Sequence, residues 1–195
     1  MEVKILNSTN NFEQNIITGA RMCYNSKSDN MGPKDIALLK KLINLKHLSV
    51  LEHSSITFLI KGISRSCLAQ LTRHRIASYS VMSMRYVDYS DRSPVIPSKI
   101  EDNSEALSLY QKIINKSNEA YNELIDKGIN KEDARFILPI GSSCDLVLTM
   151  NARSLLDFFS KRLIPKAQWE IRELAKLMKN EAISVSSLIF GGNNE

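Results

Sequence analysis

The residues with the greatest chemical potential lie in one stretch, residues 73–86, with the sequence RHRIASYSVMSMRY. It contains three arginines, one histidine, two tyrosines and three serines, and no acidic residue neutralises them. Guanidinium groups bind phosphate oxygens in a bidentate fashion, so this cluster favours anionic, phosphate-bearing ligands. A solvated basic loop is the alternative interpretation. The apolar pair Val81-Met82 is too short to predict a buried element.

Other common devices for phosphate binding and catalysis are missing from the sequence. The seven glycines form neither GxGxxG nor GxxxxGK, so side chains, chiefly arginine, would have to hold a phosphate. The cysteines Cys23, Cys67 and Cys144 lie far apart and are odd in number, which indicates a reduced compartment. None of them lies in the sequence context of an activated nucleophile. The three histidines have no cysteine partners at zinc-ligand spacing, so we expect no metal.

Length and composition are typical of one globular domain, which we expect to span residues 1–195. Apolar residues make up 43% of the chain and charged residues 24%. No apolar run has membrane-spanning length and the start lacks the apolar core of a secretory signal, so we expect a soluble, cytoplasmic protein. The net charge of +5 favours anionic ligands but does not by itself indicate nucleic-acid binding.

The hydrophobic periodicity predicts an α+β fold without the regular alternation of a doubly wound sheet. Strands are predicted at residues 2–7, 56–61 (ended by Gly62), 86–89 and 146–150. Helices are predicted at residues 11–24, 34–45, 64–72, 106–127, 152–163 and from 165 onward, with a further short helix capped by Asn130. Residues 47–53 are predicted to be a loop, and Asn151 is predicted to cap the helix that follows it.

The helix predicted at residues 152–163 carries two arginines in different settings. Arg162 falls on the same face as Leu155 and Phe159, where a guanidinium is costly without a partner or a ligand. Snorkelling of its side chain to solvent is the alternative. Arg153 and Asp157 lie four residues apart on another side, a spacing that an ordinary surface ion pair would also explain.

Several sequence blocks, taken in order, carry a resemblance to a known family. The RHR of residues 73–75, seven further residues and then Ser83 match the signature RHR-x7-S. Arg85-Tyr86 follows it and Glu52-His53 precedes it, and the blocks NARSL at 151–155 and AQWEI at 167–171 complete the match. Together these blocks resemble the flavin-dependent thymidylate synthases.

The resemblance implies a mixed α/β single domain with a small, mostly antiparallel sheet and several helices, assembled into a homotetramer with shared active sites. It implies reductive methylation of dUMP to dTMP. The one-carbon donor would be 5,10-methylenetetrahydrofolate, and FAD reduced by NADPH would be the hydride source. No enzyme cysteine attacks the pyrimidine in this family, which agrees with the lack of a poised thiol in the sequence.

Positions carried over from the family give two sets of binding residues. The resemblance assigns FAD to His47, Ser49, Arg73, His74, Arg75, Asn151, Arg153 and Asp157. It assigns dUMP to Gln70, Arg73, Ser83, Arg85, Arg135 and Arg162, some of them shared across subunits. Arg162 is the catalytic, activating residue of the family. C5 of uracil becomes nucleophilic when N3 loses its proton, and a fixed guanidinium stabilises that anion.

A few positions need separate comment. Val81 stands where the family usually has glutamate or glutamine, and Asp157 replaces an asparagine known in some members. An acid beside FAD would shift the flavin potential or pair with Arg153. Ser83 would need a base to act as a nucleophile, so a hydrogen bond to dUMP explains it more simply. Glu132 matches a family glutamate near the substrate.

Two alternatives to this enzyme remain open at the level of sequence. Val81 and Asp157 allow a related flavoprotein with an altered nucleotide substrate. A basic nucleic-acid-binding module would use residues 73–85 instead. The small net charge and the lack of a recognisable binding motif argue against that second alternative.

Overall fold

A computed structural model describes residues 1–26, 30–89 and 92–192. Within these residues the strands β1 (Glu2–Ser8), β2 (Ser55–Ser64), β3 (Ser78–Val81) and β4 (Ser143–Asn151) form an antiparallel sheet in the order β1-β2-β4-β3. The helices are α1 (Phe12–Met22), α2 (Pro33–Asn44), α3 (Arg65–Leu71), α4 (Ser98–Glu101), α5 (Ser104–Asp126), α6 (Lys131–Ala134), α7 (Ala152–Arg162), α8 (Trp169–Val185) and α9 (Ser187–Phe190). Short 3-10 helices occupy Leu48–His53 and Arg135–Ile137. The predicted fold class, a mixed α/β fold with a small antiparallel sheet and several helices, is confirmed.

The chain divides into two compact units, which are described separately. The first unit consists of Met1–Ile60, Leu71–Ser80 and Val147–Glu195, and the second of Lys61–Gln70 and Val81–Leu146. The expectation of a single domain over residues 1–195 stays a prediction. In the part of the chain that the structure describes, no helix is long and apolar enough to cross a membrane.

Alternating burial along β2 and β4 builds the core of the first unit. Ile56, Phe58 and Ile60 of β2 are fully buried, as is Leu148 of β4, while the residues between them are half-exposed. Successive side chains of a strand point to opposite faces, so one face of each strand is buried and the other is open. Helix α8 packs against β1 and α7, and α7 contacts the 3-10 helix Leu48–His53.

A small hydrophobic cluster lies in the second unit. It contains Met84, Tyr89, Tyr121 and Ala134, all buried, with Met82 packed against it. Tyr121 comes from α5, whose apolar stripe was predicted from its helical period. The cluster therefore anchors the chain segment just after β3 to a long helix.

Three predictions in and beside the strands are wrong. Residues 86–89 do not form the predicted strand, because the N–H groups of Tyr86 and Val87 donate to the carbonyl of Ser83 at 3.4 and 3.0 Å and close a turn there. Gly62 does not end β2: it adopts a φ of 71° inside the strand, which continues to Ser64. The predicted loop at residues 47–53 is largely the 3-10 helix Leu48–His53.

Two further features were misjudged in the sequence. The final long helix begins at Trp169 and not at residue 165, because the Gln168 side-chain oxygen accepts the N–H groups of Glu170 and Ile171 at 2.9 and 3.1 Å. Strand β3 was missed inside residues 73–86. Its side chains alternate only between exposed and half-buried, so it lacks the apolar alternation that predicts a strand.

The two asparagines that the sequence predicts as helix caps provide a matched test of helix capping. Asn151 Oδ1 accepts the Ser154 N–H at 2.8 Å and caps α7, as predicted. Asn130 precedes α6 but its side chain makes no capping hydrogen bond, contrary to the prediction.

Asn151→Ala should therefore lower the free energy of unfolding by about 1 kcal/mol. Asn130→Ala should change it by less than about 0.5 kcal/mol. Urea unfolding of both variants measures this, and equal losses would contradict the assignment.

Candidate active site

A cavity of about 730 Å³ in the first unit is lined mainly by charged side chains. Its lining residues are Glu52, Arg73, His74, Arg75, Ile76, Arg153, Ser154, Asp157, Lys161 and Arg162. Five of these are cationic lysines or arginines and two are carboxylates. The cavity thus carries an excess of positive charge, which favours anionic ligands.

Helix α7 supplies one wall of the cavity. Arg153, Asp157 and Lys161 follow one another at intervals of four residues, so they lie along one side of the helix. Arg162 comes one residue later, in the last turn. The side-chain cap of Asn151 on the first turn fixes where this wall begins.

The turn after α3 supplies the facing residues, and Tyr79 holds that turn. The Tyr79 hydroxyl lies 2.9 Å from the carbonyl oxygen of Leu71 and 2.7 Å from that of His74. Burial raises the pKa of Tyr79 to about 12, so the phenol keeps its proton and remains a donor. Tyr79 thereby positions the backbone of residues 71–74. The sequence analysis did not identify this role, because both acceptors are backbone atoms.

The two carboxylates of the cavity each pair with a cation. Arg153 Nη1 lies 2.5 Å from Glu52 Oε1, and Lys161 Nζ lies 2.8 Å from Asp157 Oδ2. Arg153 is therefore paired with Glu52, and Asp157 with Lys161. All four side chains are about half-exposed, and such pairs contribute at most about 1 kcal/mol to stability. Sequence reasoning named neither Glu52 nor Lys161 as a site residue, although Glu52 belongs to a recognised motif.

Arg162 has a partner that does not cancel its charge. Its Nε donates to Nε2 of His74 at 3.0 Å, and the His74 ring packs edge-on against Phe158 with centroids 4.9 Å apart. The pKa of His74 is lowered, first by burial and then by the nearby charges of Arg162 and Lys161, while Asp157 opposes the shift. His74 is accordingly neutral with its proton on Nδ1, because Nε2 acts as the acceptor. This contact explains how a guanidinium is accommodated beside the apolar face of α7.

The residues of the cavity fit a flavin dinucleotide. A diphosphate requires cationic donors with a fixed geometry, and the arginine forks provide them without any glycine-rich loop. Ile76 is 71% exposed at the cavity, so it offers an apolar surface on which a flat ring could pack. Five of the eight residues assigned to FAD by resemblance line this cavity: Arg73, His74, Arg75, Arg153 and Asp157.

The other three residues assigned to FAD lie outside the cavity lining. His47 and Ser49 are exposed at the start of the 3-10 helix Leu48–His53. Asn151 is half-buried, and its side-chain oxygen is engaged in capping α7. Their assignment to FAD stays a prediction.

Four of the residues assigned to dUMP belong to the second unit: Gln70, Ser83, Arg85 and Arg135. Glu132 brings two of them together. Its carboxylate lies 2.9 Å from Arg85 Nη2, and its backbone carbonyl accepts the Arg135 Nε–H at 2.9 Å. Ser83 Oγ accepts the backbone N–H of Arg85 at 3.2 Å. Ser83, Arg85, Glu132 and Arg135 thus form one polar group, and Gln70 lies in the last turn of α3.

Within the residues that the structure describes, no group of histidine, cysteine and acidic side chains could hold a metal ion. Cys67 and Cys144 are fully buried, and Cys23 is exposed at the end of α1. None of the three cysteines lines the charged cavity. Fold and cavity together define a mixed α/β protein with a positively charged cavity built from side chains.

Comparison with known proteins identifies the family. The family model described as thymidylate synthase complementing protein matches residues 4–186. A flavin-dependent thymidylate synthase of Geobacter sulfurreducens is 40% identical, over 97% of this chain and 85% of its own length. One of Clostridium tetani is 34% identical over the same shares, and one of Pyrococcus abyssi is 43% identical over 74% of this chain and 61% of its own. The chain belongs to the flavin-dependent thymidylate synthase family, as the sequence motifs indicated, and is an enzyme of the methyltransferase type.

The His74 contact predicts a specific dependence of stability on pH. The unfolded chain takes up a proton on His74 near pH 6.5, whereas the folded protein resists protonation to a lower pH. The stabilisation present above about pH 6.5 is therefore lost as the pH falls through that value towards the folded pKa. In His74→Gln this part of the pH dependence should disappear. Urea unfolding between pH 7.5 and 5.5 measures the difference, and identical curves for the two proteins would contradict the prediction.

Proposed function

We propose that this chain is a flavin-dependent thymidylate synthase that converts dUMP to dTMP by reductive methylation. It would take its one-carbon unit from 5,10-methylenetetrahydrofolate and its hydride from FAD reduced by NADPH. The observation that carries the proposal is the cavity lined by Arg73, Arg75, Arg153 and Arg162, in which Arg162 donates a hydrogen bond to a neutral His74.

In this proposal the chain's own side chains do the binding and the electrostatic work. Arg73, Arg75 and Arg153 would hold the diphosphate of FAD, which supplies the hydride when bound. Arg162 would stabilise the negative charge that develops on the uracil ring, and this raises the electron density at C5. The hydrogen bond from Arg162 Nε to His74 Nε2 fixes the plane of the guanidinium relative to the imidazole, so less ordering is needed when the substrate binds.

A mechanism without an enzyme thiol is supported by the surroundings of the cysteines. A nucleophilic thiol has to be accessible and to have a lowered pKa. Cys67 and Cys144 are fully buried, and Cys23 donates its thiol to the carbonyl of Gly19 at 3.6 Å within its own helix turn. Activation of C5 by Arg162 is the route that the cavity supports.

We further propose that the chain assembles into a homotetramer whose active sites are shared between subunits. Phe136 and Ile140 of the second unit are 81% and 74% exposed, and clustered exposed apolar side chains are typical of surfaces covered by a partner. Analytical ultracentrifugation should give four times the 22.1 kDa mass of one chain. Phe136→Ser together with Ile140→Ser should shift the protein to smaller species. An unchanged mass would contradict the proposal that Phe136 and Ile140 lie in a subunit interface.

Arg162→Ala tests the assignment of the activating residue. The purified wild-type protein should bind FAD and show flavin absorbance, and should release tritium from [5-³H]dUMP when supplied with the folate and NADPH. Arg162→Ala should lower turnover at least about a hundredfold, because the group that stabilises the anion is lost. Its flavin content should remain, because Arg73, Arg75 and Arg153 are still present.

Arg172→Ala is the matched control for that variant. Arg172 lies on α8 and donates to the backbone carbonyl of Pro165 at 2.9 Å, outside the cavity lining. It should keep wild-type turnover. Turnover retained in Arg162→Ala would show that another group activates the uracil. Flavin binding without tritium release in the wild type would favour an altered nucleotide substrate, and failure to bind FAD would overturn the proposed function.

A further inference from the structure

An ion pair in the second unit holds the chain just before Ser83. Asp145 Oδ2 lies 3.2 Å from both Nη1 and Nη2 of Arg92, and Arg92 Nη2 lies 2.9 Å from the sulfur of Met82. The backbone N–H of Met82 donates to the carbonyl oxygen of Asp145 at 2.9 Å. Met82 is therefore held through both its main chain and its side chain.

The Asp145 carboxylate is itself fixed by a second contact. Its Oδ1 accepts the backbone N–H of Gly62 at 2.9 Å, at the point where β2 adopts a positive φ of 71°. Asp145 thus joins Gly62 of β2 and the side chain of Arg92 through its carboxylate, and the segment at Met82 through its backbone. A group held from several directions is a rigid reference point for the residues attached to it.

Met84 anchors the same segment on the other side of Ser83. It is buried in the cluster with Tyr89 and Tyr121, while Ser83 Oγ accepts the N–H of Arg85. Apolar packing is non-directional, so Met84 fixes where the segment lies but leaves the orientation of Ser83 less defined. The hydrogen bonds at Met82 are directional, and they lie on the other side of Ser83 in the chain.

We propose that Arg92 and Asp145 are positioning residues for dUMP, which hold Met82 so that Ser83 and Arg85 are pre-organised to bind the nucleotide. This inference rests on the proposed function, which assigns Ser83 and Arg85 to dUMP. The side chains of Arg92 and Asp145 are 32% and 27% exposed, and partly exposed ion pairs contribute little to global stability. Breaking the pair should therefore lower the affinity for the nucleotide, because the segment that contains Ser83 and Arg85 would then have to be ordered when dUMP binds.

The test uses the FAD-loaded enzyme and the variants Arg92→Met and Asp145→Asn. Isothermal titration should show that the Kd for dUMP rises about tenfold in each, since the binding segment must now be ordered by the ligand. The KM for dUMP should rise to a similar extent, while kcat at saturating dUMP and flavin content change less than about twofold. Arg92→Lys keeps a charge opposite Asp145 and should restore part of the affinity. If Arg92→Met fails to fold, the Kd of Arg92→Lys for dUMP tests the proposal in its place.

Asp145→Asn separates positioning from direct binding by Arg92. This variant leaves the Arg92 charge in place and removes its carboxylate partner. If Arg92 bound the phosphate directly, Asp145→Asn would bind dUMP as tightly as the wild type or more tightly. If Arg92 and Asp145 act as a positioning pair, Asp145→Asn should bind dUMP more weakly. An unchanged or lowered Kd in Asp145→Asn would overturn the proposal.

Arg21→Met is the matched control, because it breaks an ion pair that shares no residue with these contacts. Arg21 Nη2 lies 2.6 Å from Asp35 in the first unit, and both side chains are more buried than Arg92 and Asp145. Its melting temperature should fall at least as far, with no change in the Kd for dUMP. Equal weakening in Arg21→Met would attribute the effect to lost stability and overturn the proposal. A wild-type holoenzyme that binds no dUMP would instead count against the proposed function itself.

Discussion

The guanidinium of Arg162 at the end of α7 requires a partner that does not cancel its charge. The neighbouring Phe158 and Phe159 are buried, so an isolated charge beside them would be costly. A carboxylate would satisfy Arg162 but neutralise it. The imidazole of His74 accepts its hydrogen bond while remaining neutral, because burial and the surrounding cations lower the pKa of His74. The contact with His74 therefore brings no negative charge into the cavity.

The hydrogen bond from Arg162 requires the His74 side chain to have a fixed position, and neighbouring residues fix it. The Tyr79 hydroxyl holds the backbone at Leu71 and His74, and the Phe158 ring packs perpendicular to the imidazole. Strand β3, which contains Tyr79, thus contributes to the site although none of its residues lines the cavity. The Glu52–Arg153 and Asp157–Lys161 pairs involve both carboxylates of the cavity, whose lining contains five cationic side chains against these two acidic ones.

The elements predicted correctly are those with strong periodicity. Helices α1, α2, α5 and α7 and the cores of β2 and β4 carry clear apolar stripes or alternations, and the structure contains all of them. The failures occur where side-chain or local backbone contacts decide the conformation. Tyr86 and Val87 donate to Ser83 and form a turn, and Gln168 caps α8 four residues later than the start predicted from Pro165. Neither contact has a periodic signal.

The sequence by itself determined which chemical groups the protein offers. Arg73, His74 and Arg75 are adjacent in the chain, and the lack of a glycine-rich loop leaves phosphate binding to such side chains. Only the tertiary structure decided the partners, because Arg153 pairs with Glu52 101 residues away and Arg162 with His74 88 residues away. Local propensities act over a few residues, whereas these contacts depend on the path of the whole chain. The type of site was therefore readable in the sequence, while the charge state and orientation of its groups were not.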